Sequence, residues 1–226
     1  MRTLSDFAYD GRAVLDFLID ASPWGSADQA IASLAVFAHP DVVAASGRRA
    51  IFRTFRRMAD RGKIFDGAMA DDNYSPAMAF EWATGFKRKA AADLTCCHLY
   101  AASRDATAYT DLRNLFFAPS FISRLTDSQA ASLPAEHALH ALRYRAFVLY
   151  GYGGPTGTEL PVKAATYDHL EWAEPIGAGA RAEELELRLR TRLARKPKDR
   201  LTKSVAMCGW TFSDYQPDPR VVFTGD

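Results

Sequence analysis

Two short apolar runs separated by a polar loop constrain the fold of this chain more than any other feature. The first run, residues 94–98, ends on His98, and the second, within residues 109–119, contains Asn114. Apolar runs of about four to eight residues bounded by turn formers are typical of buried strands. Ser103 and Asp105 lie between the two runs and favour a loop. The sequence therefore predicts a two-stranded hairpin, followed by a short helix over residues 121–125.

The composition is that of a globular protein from a reducing compartment. The chain has 226 residues, of which 48% are hydrophobic and 24% are charged, enough to bury a real core. A formal net charge of +1 argues against a protein that coats DNA uniformly, although it permits a local basic face. Three cysteines (Cys96, Cys97 and Cys208) without CxxC spacing predict neither disulfides nor a structural zinc. Because no signal peptide or long apolar run is present, we expect a cytoplasmic protein.

The rest of the chain predicts mainly helices. Apolar periodicity and capping residues predict helices over residues 12–20, 26–38, 41–45, 77–86, 135–150 and 182–194. Short strands or extended segments are predicted at residues 64–65 and 69, and near the C-terminus at 205–212 and 221–223. The expected fold class is therefore α+β, mostly helical, with short C-terminal strands.

A basic segment, residues 48–63, is the strongest local concentration of charge. Read as a helix, it places Phe52, Phe55 and Ala59 on one side. Its arginines then cluster on another side, and they include Arg49, Arg53, Arg56 and Arg57. Such a helix can lie against nucleic-acid phosphates, in the manner of the last helix of a helix-turn-helix trio. The alternative is an ordinary core helix with a solvated charged face.

Three further groups of polar residues have two interpretations each. The turn-rich stretch 71–76 predicts an Asx-turn that leads into a helix at Pro76, or else a loop that presents Asp72 or Asn73 to a site. His137 and His140 are three residues apart on a predicted helix, a spacing that metal sites use, but no third ligand is evident. His98 itself is either a hydrogen-bonded core histidine or a catalytic base.

Phosphodiester hydrolysis requires a base that activates water and a cation that stabilises the phosphate charge. A histidine titrates near neutral pH and suits the first role, provided that a hydrogen bond fixes its ring. An asparagine can order the intervening loop through its amide.

His98 at a strand end, Ser103 five residues later and the stretch Asp111-Leu-Arg-Asn114-Leu-Phe-Phe together resemble the ββα-metal (HNH) nuclease motif, over about residues 93–128. The resemblance implies that His98 is the general base and that Asn114 tethers the hairpin loop. It also implies a divalent metal, Mg²⁺ or Mn²⁺, held partly from the following helix.

The sequence departs from that family pattern at three places. Cys97 precedes the histidine where many members carry an acidic ligand, and residues 104–107 replace a glycine-rich loop. The helix after Asn114 has no histidine or asparagine in the usual place. The candidate metal ligands are therefore Asp127 on that helix and Asp72 from outside the motif.

Our prediction is a metal-dependent DNA endonuclease of restriction or phage-defence type, acting alone, as a homo-oligomer or in a larger defence complex, with no membrane partner. Its regions would be a helical, DNA-binding part (1–66), a ββα-metal-like nuclease part (67–150) and a C-terminal part (151–226), with the glycine-rich segment 151–157 as a boundary. The expected nucleic-acid contacts are Arg49, Arg53, Arg56, Arg57, Lys87, Arg104, Arg113 and Arg124. The alternatives are a non-catalytic nucleic-acid-binding or assembly protein that uses the 48–63 segment, and a protein–protein module.

Overall fold

The computed structural model describes residues 2–89, 92–126, 133–158 and 160–195, with the backbone alone at 133–136, 190 and 192–195. Within them the helices are α1 (Gly11–Asp20), α2 (Ala27–Leu34), α3 (Pro40–Ala45), α4 (Tyr74–Thr84), α5 (Ser120–Ser123), α6 (Leu133–Tyr150) and α7 (Ala182–Arg195). The strands are β1 (Thr54–Arg56), β2 (Ile64–Phe65), β3 (Ala68–Asp71), β4 (Leu94–His98) and β5 (Leu115–Pro119). Helices and small mixed sheets make an α+β fold, as predicted. The C-terminal strands predicted at 205–212 and 221–223, and Cys208, lie outside the described residues.

The helix starts follow their capping residues. The Asp10 side chain accepts a hydrogen bond from the Arg12 amide at the start of α1, and Ser26 accepts one from Gln29 at the start of α2. Helix α2 ends at Leu34, earlier than predicted, because Val36 is extended and pairs with Phe117 of β5. Helix α4 begins at Tyr74 and not at Pro76, after the Asp71 carboxylate accepts a hydrogen bond from the Ser75 amide.

The hairpin is antiparallel and lies at the centre of the core. Leu94 pairs with Pro119 and His98 with Leu115, so the connection between the strands is a loop over residues 99–114. The last three residues of the loop form a 3₁₀ turn, Leu112–Asn114, before β5 begins. Strand β5 is buried on both faces, with Phe117 against Phe80 of α4 and Phe116 against Phe37. The short helix α5 follows directly, as predicted.

The basic segment 48–63 is not a helix, which corrects the prediction. Around the start of β1 burial alternates, with Phe52 and Thr54 buried and Arg53 between them exposed, in the period of two that a strand requires. Strand β1 runs parallel to β3, and β2 pairs antiparallel with the other side of β3. The run of β-branched and aromatic residues favours an extended chain, and these remote pairings override the local helical pattern.

The turn between β2 and β3 is a tight hairpin connection. Asp66 and Gly67 both have positive φ, 48° and 68°, which is the conformation of a two-residue type I′ turn. This turn folds β2 back on β3. Strands β1, β3 and β2 then form a small three-stranded sheet, in that order, which includes part of the basic segment.

One hydrophobic core collects residues from all three predicted regions, for example Ile31, Phe117 and Leu185. Tyr152, inside the glycine-rich segment, is buried in it as well. The three-part division remains a prediction. Among the described helices, none is long and apolar enough to span a membrane.

Candidate functional site

His98 stands at the last position of β4 with its ring held by the loop that follows. Its Nε2 lies 2.9 Å from the carbonyl oxygen of Tyr109, and the two rings stack with centroids 5.4 Å apart and planes 7° from parallel. The side chain is half-buried. The stack and the hydrogen bond together define the orientation of the imidazole.

The hydrogen bond fixes the tautomer of His98. A backbone carbonyl only accepts, so Nε2 must carry the proton. Burial lowers the pKa of His98 most strongly. The hydrogen bond to the Tyr109 carbonyl raises it by less, and the charge of nearby Arg56 has the smallest effect and lowers it. The ring is therefore neutral at pH 7, and Nδ1 keeps the lone pair with which it can accept a proton.

Asn114 is fully buried and ties the loop together. Its Oδ1 accepts a hydrogen bond of 2.9 Å from the Tyr100 amide, and its Nδ2 donates to the carbonyl oxygens of Tyr100, at 3.3 Å, and Ala108, at 3.5 Å. These contacts join the beginning of the loop to its end, next to Tyr109. Asn114 thus fixes the residue next to Tyr109, whose carbonyl orients His98.

Charged residues surround the Tyr109 ring on the side away from the core. Its hydroxyl donates to Oδ1 of Asn73 at 3.1 Å. Burial, and then the nearby charge of Asp71, raise the pKa of the Tyr109 phenol well above its usual range. Asp72 adds to that shift, whereas Arg56 opposes it. The histidine, the tyrosine, Arg56 and the 71–73 turn therefore form one polar cluster.

This cluster does not by itself complete a metal site. Asp72 lies near it, but its Oδ2 is 2.6 Å from Arg61 in an ion pair. In the described parts of the chain no group of three or more histidine, cysteine, aspartate or glutamate side chains is placed to hold a metal ion. Asp127, the other predicted ligand, lies outside the described residues. The described donors thus do not fit a full divalent-cation site.

The histidines of the predicted helical pair serve different surroundings. His140 is hydrogen-bonded through Nδ1 to the hydroxyl of Tyr167 at 2.7 Å, whereas His137 is exposed. The hydrogen bond between His140 and Tyr167 joins α6 to the segment before α7.

Three of the predicted nucleic-acid contacts line one cleft near the polar cluster. Arg56, Arg57 and Arg104 meet there beside Ser103, in a volume of about 770 Å³. The Arg56 amide donates a hydrogen bond to the Ser103 carbonyl, which joins the two chain segments that line the cleft. Arg57 also pairs with Asp60 at 2.6 Å. The cleft therefore presents positive charge near His98, since Arg56 both lines the cleft and lowers the pKa of His98.

Three others, Arg49, Arg53 and Arg113, line a second pocket that shares no lining residue with the first. Lys87 lies in neither arginine pocket but in a groove between α4 and α7, and Arg124 lies outside both, in the 3₁₀ turn after α5. The structure thus divides the predicted set into two groups and two isolated residues.

Sequence reasoning missed Tyr109 and Tyr152. Tyr109 lies in the loop between two apolar runs, where an aromatic residue signals an anchored loop. Tyr152 is an aromatic residue between Gly151 and Gly153, and that interruption of a glycine-rich stretch was the available signal.

No protein-family model matches the sequence, and comparisons with curated proteins and with solved structures found no significant match.

Proposed function

We propose that this chain is a DNA endonuclease that hydrolyses phosphodiester bonds with His98 as the general base. The observation that carries the proposal is the hydrogen bond from His98 Nε2 to the Tyr109 carbonyl, in a loop that Asn114 ties together. This arrangement leaves a neutral imidazole with Nδ1 as its basic atom. It supports the ββα-metal resemblance at the two residues on which that resemblance depends.

In the proposed reaction Nδ1 of His98 takes a proton from the attacking water, whose oxygen forms the new bond to phosphorus. The bond from phosphorus to the leaving oxygen breaks, and that oxygen takes a proton from solvent. Arg56 and Arg104 would neutralise phosphate charge in the adjacent cleft. The described donors do not complete a metal site. Mg²⁺ or Mn²⁺, with Asp127 and Asp72 as ligands, remains a prediction.

Plasmid DNA incubated with the full-length protein and Mg²⁺ or Mn²⁺ tests the proposal. We expect nicking or linearisation, and a loss of at least about 100-fold in rate for His98→Ala, since general bases contribute about 10² to 10⁴. DNA binding by this variant should stay close to that of the wild type. His137→Ala removes an exposed histidine elsewhere and is the matched control. Full activity of His98→Ala would rule the proposal out.

The two arginine-lined pockets favour a second candidate, a non-catalytic nucleic-acid-binding or assembly protein. It would bind DNA with a strong salt dependence and leave it intact with either metal. In that case His98→Ala would change stability alone, and the loop around it would serve as a scaffold for the arginines.

A further inference from the structure

The pocket beside β1 on the side of Arg53 has a volume of about 360 Å³ and combines two kinds of surface. Arg48, Arg49 and Arg53 supply positive charge at one wall. Ala50 and Pro155 belong to its apolar part, together with the alanines at 106 and 108. A lining that combines cationic and apolar side chains suits an amphipathic anion better than an inorganic ion.

The only carboxylate that lines this pocket within the described residues is already neutralised. Asp111 accepts from Nε of Arg113 at 3.0 Å and from Nη2 at 2.6 Å, and it is almost fully buried. In contrast, no described acidic side chain forms an ion pair with Arg48 or Arg49, and both are exposed. The net charge of the pocket is therefore positive, and two guanidinium groups are available to a ligand.

Tyr152 supplies an independent sign of a ligand. Its ring lines the pocket, with the guanidinium carbon of Arg113 4.9 Å from the ring centroid, and the residue is 4% exposed. Its hydroxyl is buried and has no hydrogen-bond partner among the described residues. An unsatisfied buried hydroxyl is costly, so a position of this kind is expected to gain a partner in the functional state.

We propose that this pocket binds one nucleotide unit, with its phosphate on Arg48 and Arg49 and its base or sugar against the apolar wall near Tyr152. The volume lies at the lower end of the range of small-molecule sites, about 300 to 1,000 Å³, so the pocket admits a single unit and not a duplex. The inference deepens the proposed function and rests on it for the choice of a nucleotide. The unit comes either from the bound DNA strand or from a free nucleotide.

Binding measured without a metal tests this site separately from cleavage. Wild-type protein in a chelating buffer at low salt is titrated by calorimetry with dAMP, with deoxyadenosine and with inorganic phosphate. A single-stranded 12-mer is titrated by fluorescence anisotropy at several salt concentrations. We expect dAMP to bind more tightly than phosphate and deoxyadenosine not to bind. Because no hydrolysis is required, an inactive protein gives the same result.

The test variant is Arg48→Gln/Arg49→Gln, which removes two charges from the pocket. We expect it to weaken dAMP binding about tenfold or more, and to lower the salt slope of 12-mer binding by about one to two. The matched control, Lys163→Gln/Arg181→Gln, removes two exposed charges that lie outside both arginine pockets and should change neither quantity.

Tyr152→Phe provides a second readout with opposite signs in the two states. It should weaken dAMP binding about threefold to tenfold, because the hydroxyl loses its ligand partner. The melting temperature of the ligand-free protein should stay the same or rise by about 2–4 °C, because an unsatisfied buried hydroxyl is removed.

The outcomes divide as follows. Weakened dAMP binding with unchanged 12-mer binding supports a free nucleotide as the ligand, and weakened 12-mer binding supports the strand. Equal binding of dAMP and deoxyadenosine overturns the proposal. Unchanged binding of both dAMP and the 12-mer in the arginine variant also overturns it. So does a wild-type protein that binds neither dAMP nor the 12-mer.

Discussion

The hairpin at residues 94–119 contacts the stretch 48–71, which consists of the basic segment and the strands that continue it. The two regions are stabilised in different ways. The hairpin satisfies its polar groups within itself, since Asn114 and His98 bond to the loop between the two strands. The basic segment takes its partners from elsewhere: the Arg56 amide bonds to Ser103, and the Ile51 amide to Thr110. Its own arginines remain on the surface.

This difference teaches where a local pattern is sufficient. A strand that pairs with the next strand in the sequence carries most of its determinants in one window. Strand β1 does not, because it pairs with β3, beyond the next strand in the sequence. The helical spacing of Phe52 and Phe55 is then a coincidence. The same contrast separates a loop built to hold one ring from a surface that presents charge.

The largest expected effect tests the strand against the predicted helix. On a helix, Phe52 and Phe55 would share a buried face, whereas the structure buries Phe52 completely and leaves Phe55 partly exposed against Phe65. Phe52→Ala should lower the free energy of unfolding by about 3–5 kcal/mol. Phe55→Ala should cost less than half of that.

Urea denaturation of both variants measures this difference. Equal losses would indicate that the two rings are equally buried and would contradict the strand assignment.

The next effect concerns the polar interior of the hairpin. Asn114→Ala leaves the Tyr100 amide and two carbonyls without their partner, and it should lower the free energy of unfolding by about 2–4 kcal/mol. It should also reduce any cleavage activity, because the loop beside Tyr109 loses its bond at the Ala108 carbonyl. Asn114→Asp puts a carboxylate oxygen against two carbonyl oxygens in a fully buried site, so it should lower the stability at least as much as alanine does.

Asn73→Ala is the control for a lost asparagine, since Asn73 is exposed and accepts one hydrogen bond, from Tyr109. Equal losses of stability for Asn73→Ala and Asn114→Ala, measured in urea, would be inconsistent with a tether inside the loop.

How much of this could be predicted follows from the same contrast. Strand β4 with His98 at its end was accessible, as was the hydrogen-bonding role of Asn114, because local residues indicate both. The start of β5 was not, since Asn114 precedes the strand and was expected inside it. The parallel pairing of β1 with β3 was not, since nothing in residues 48–56 specifies Ala68–Asp71 as a partner. The two arginine pockets were missed for that reason, although most of their arginines were singled out.

A smaller effect tests the turn that ends the basic segment. Gly67 has φ +68°, and a Cβ added there would lie 3.4 Å from Nη1 of Arg53. Gly67→Ala should therefore cost about 1–2 kcal/mol, chiefly from the left-handed backbone. Gly11→Ala is a suitable control, because that glycine is helical and a Cβ there meets nothing within 4 Å. A loss in both variants of the same size would contradict the turn geometry.

The smallest effect is the pH dependence of the hairpin, which reports on His98. Burial lowers its pKa in the folded state below the value of about 6.5 for an unfolded chain, so the unfolded state binds the proton more readily. The contribution of this ring to stability is therefore complete above pH 6.5 and is lost as the pH falls toward the folded pKa.

We expect the free energy of unfolding of the wild type to decrease more steeply between pH 7 and pH 5 than that of His98→Gln, which has no titrating ring. The imidazole resonances of His98 should titrate with a midpoint below about 6.5, the value for an unfolded chain. A midpoint above 6.5 would mean that a charged imidazolium is stabilised in the loop, and such a ring would be a poor base at neutral pH. The same titration thus tests both the packing of the hairpin and the chemistry proposed for it.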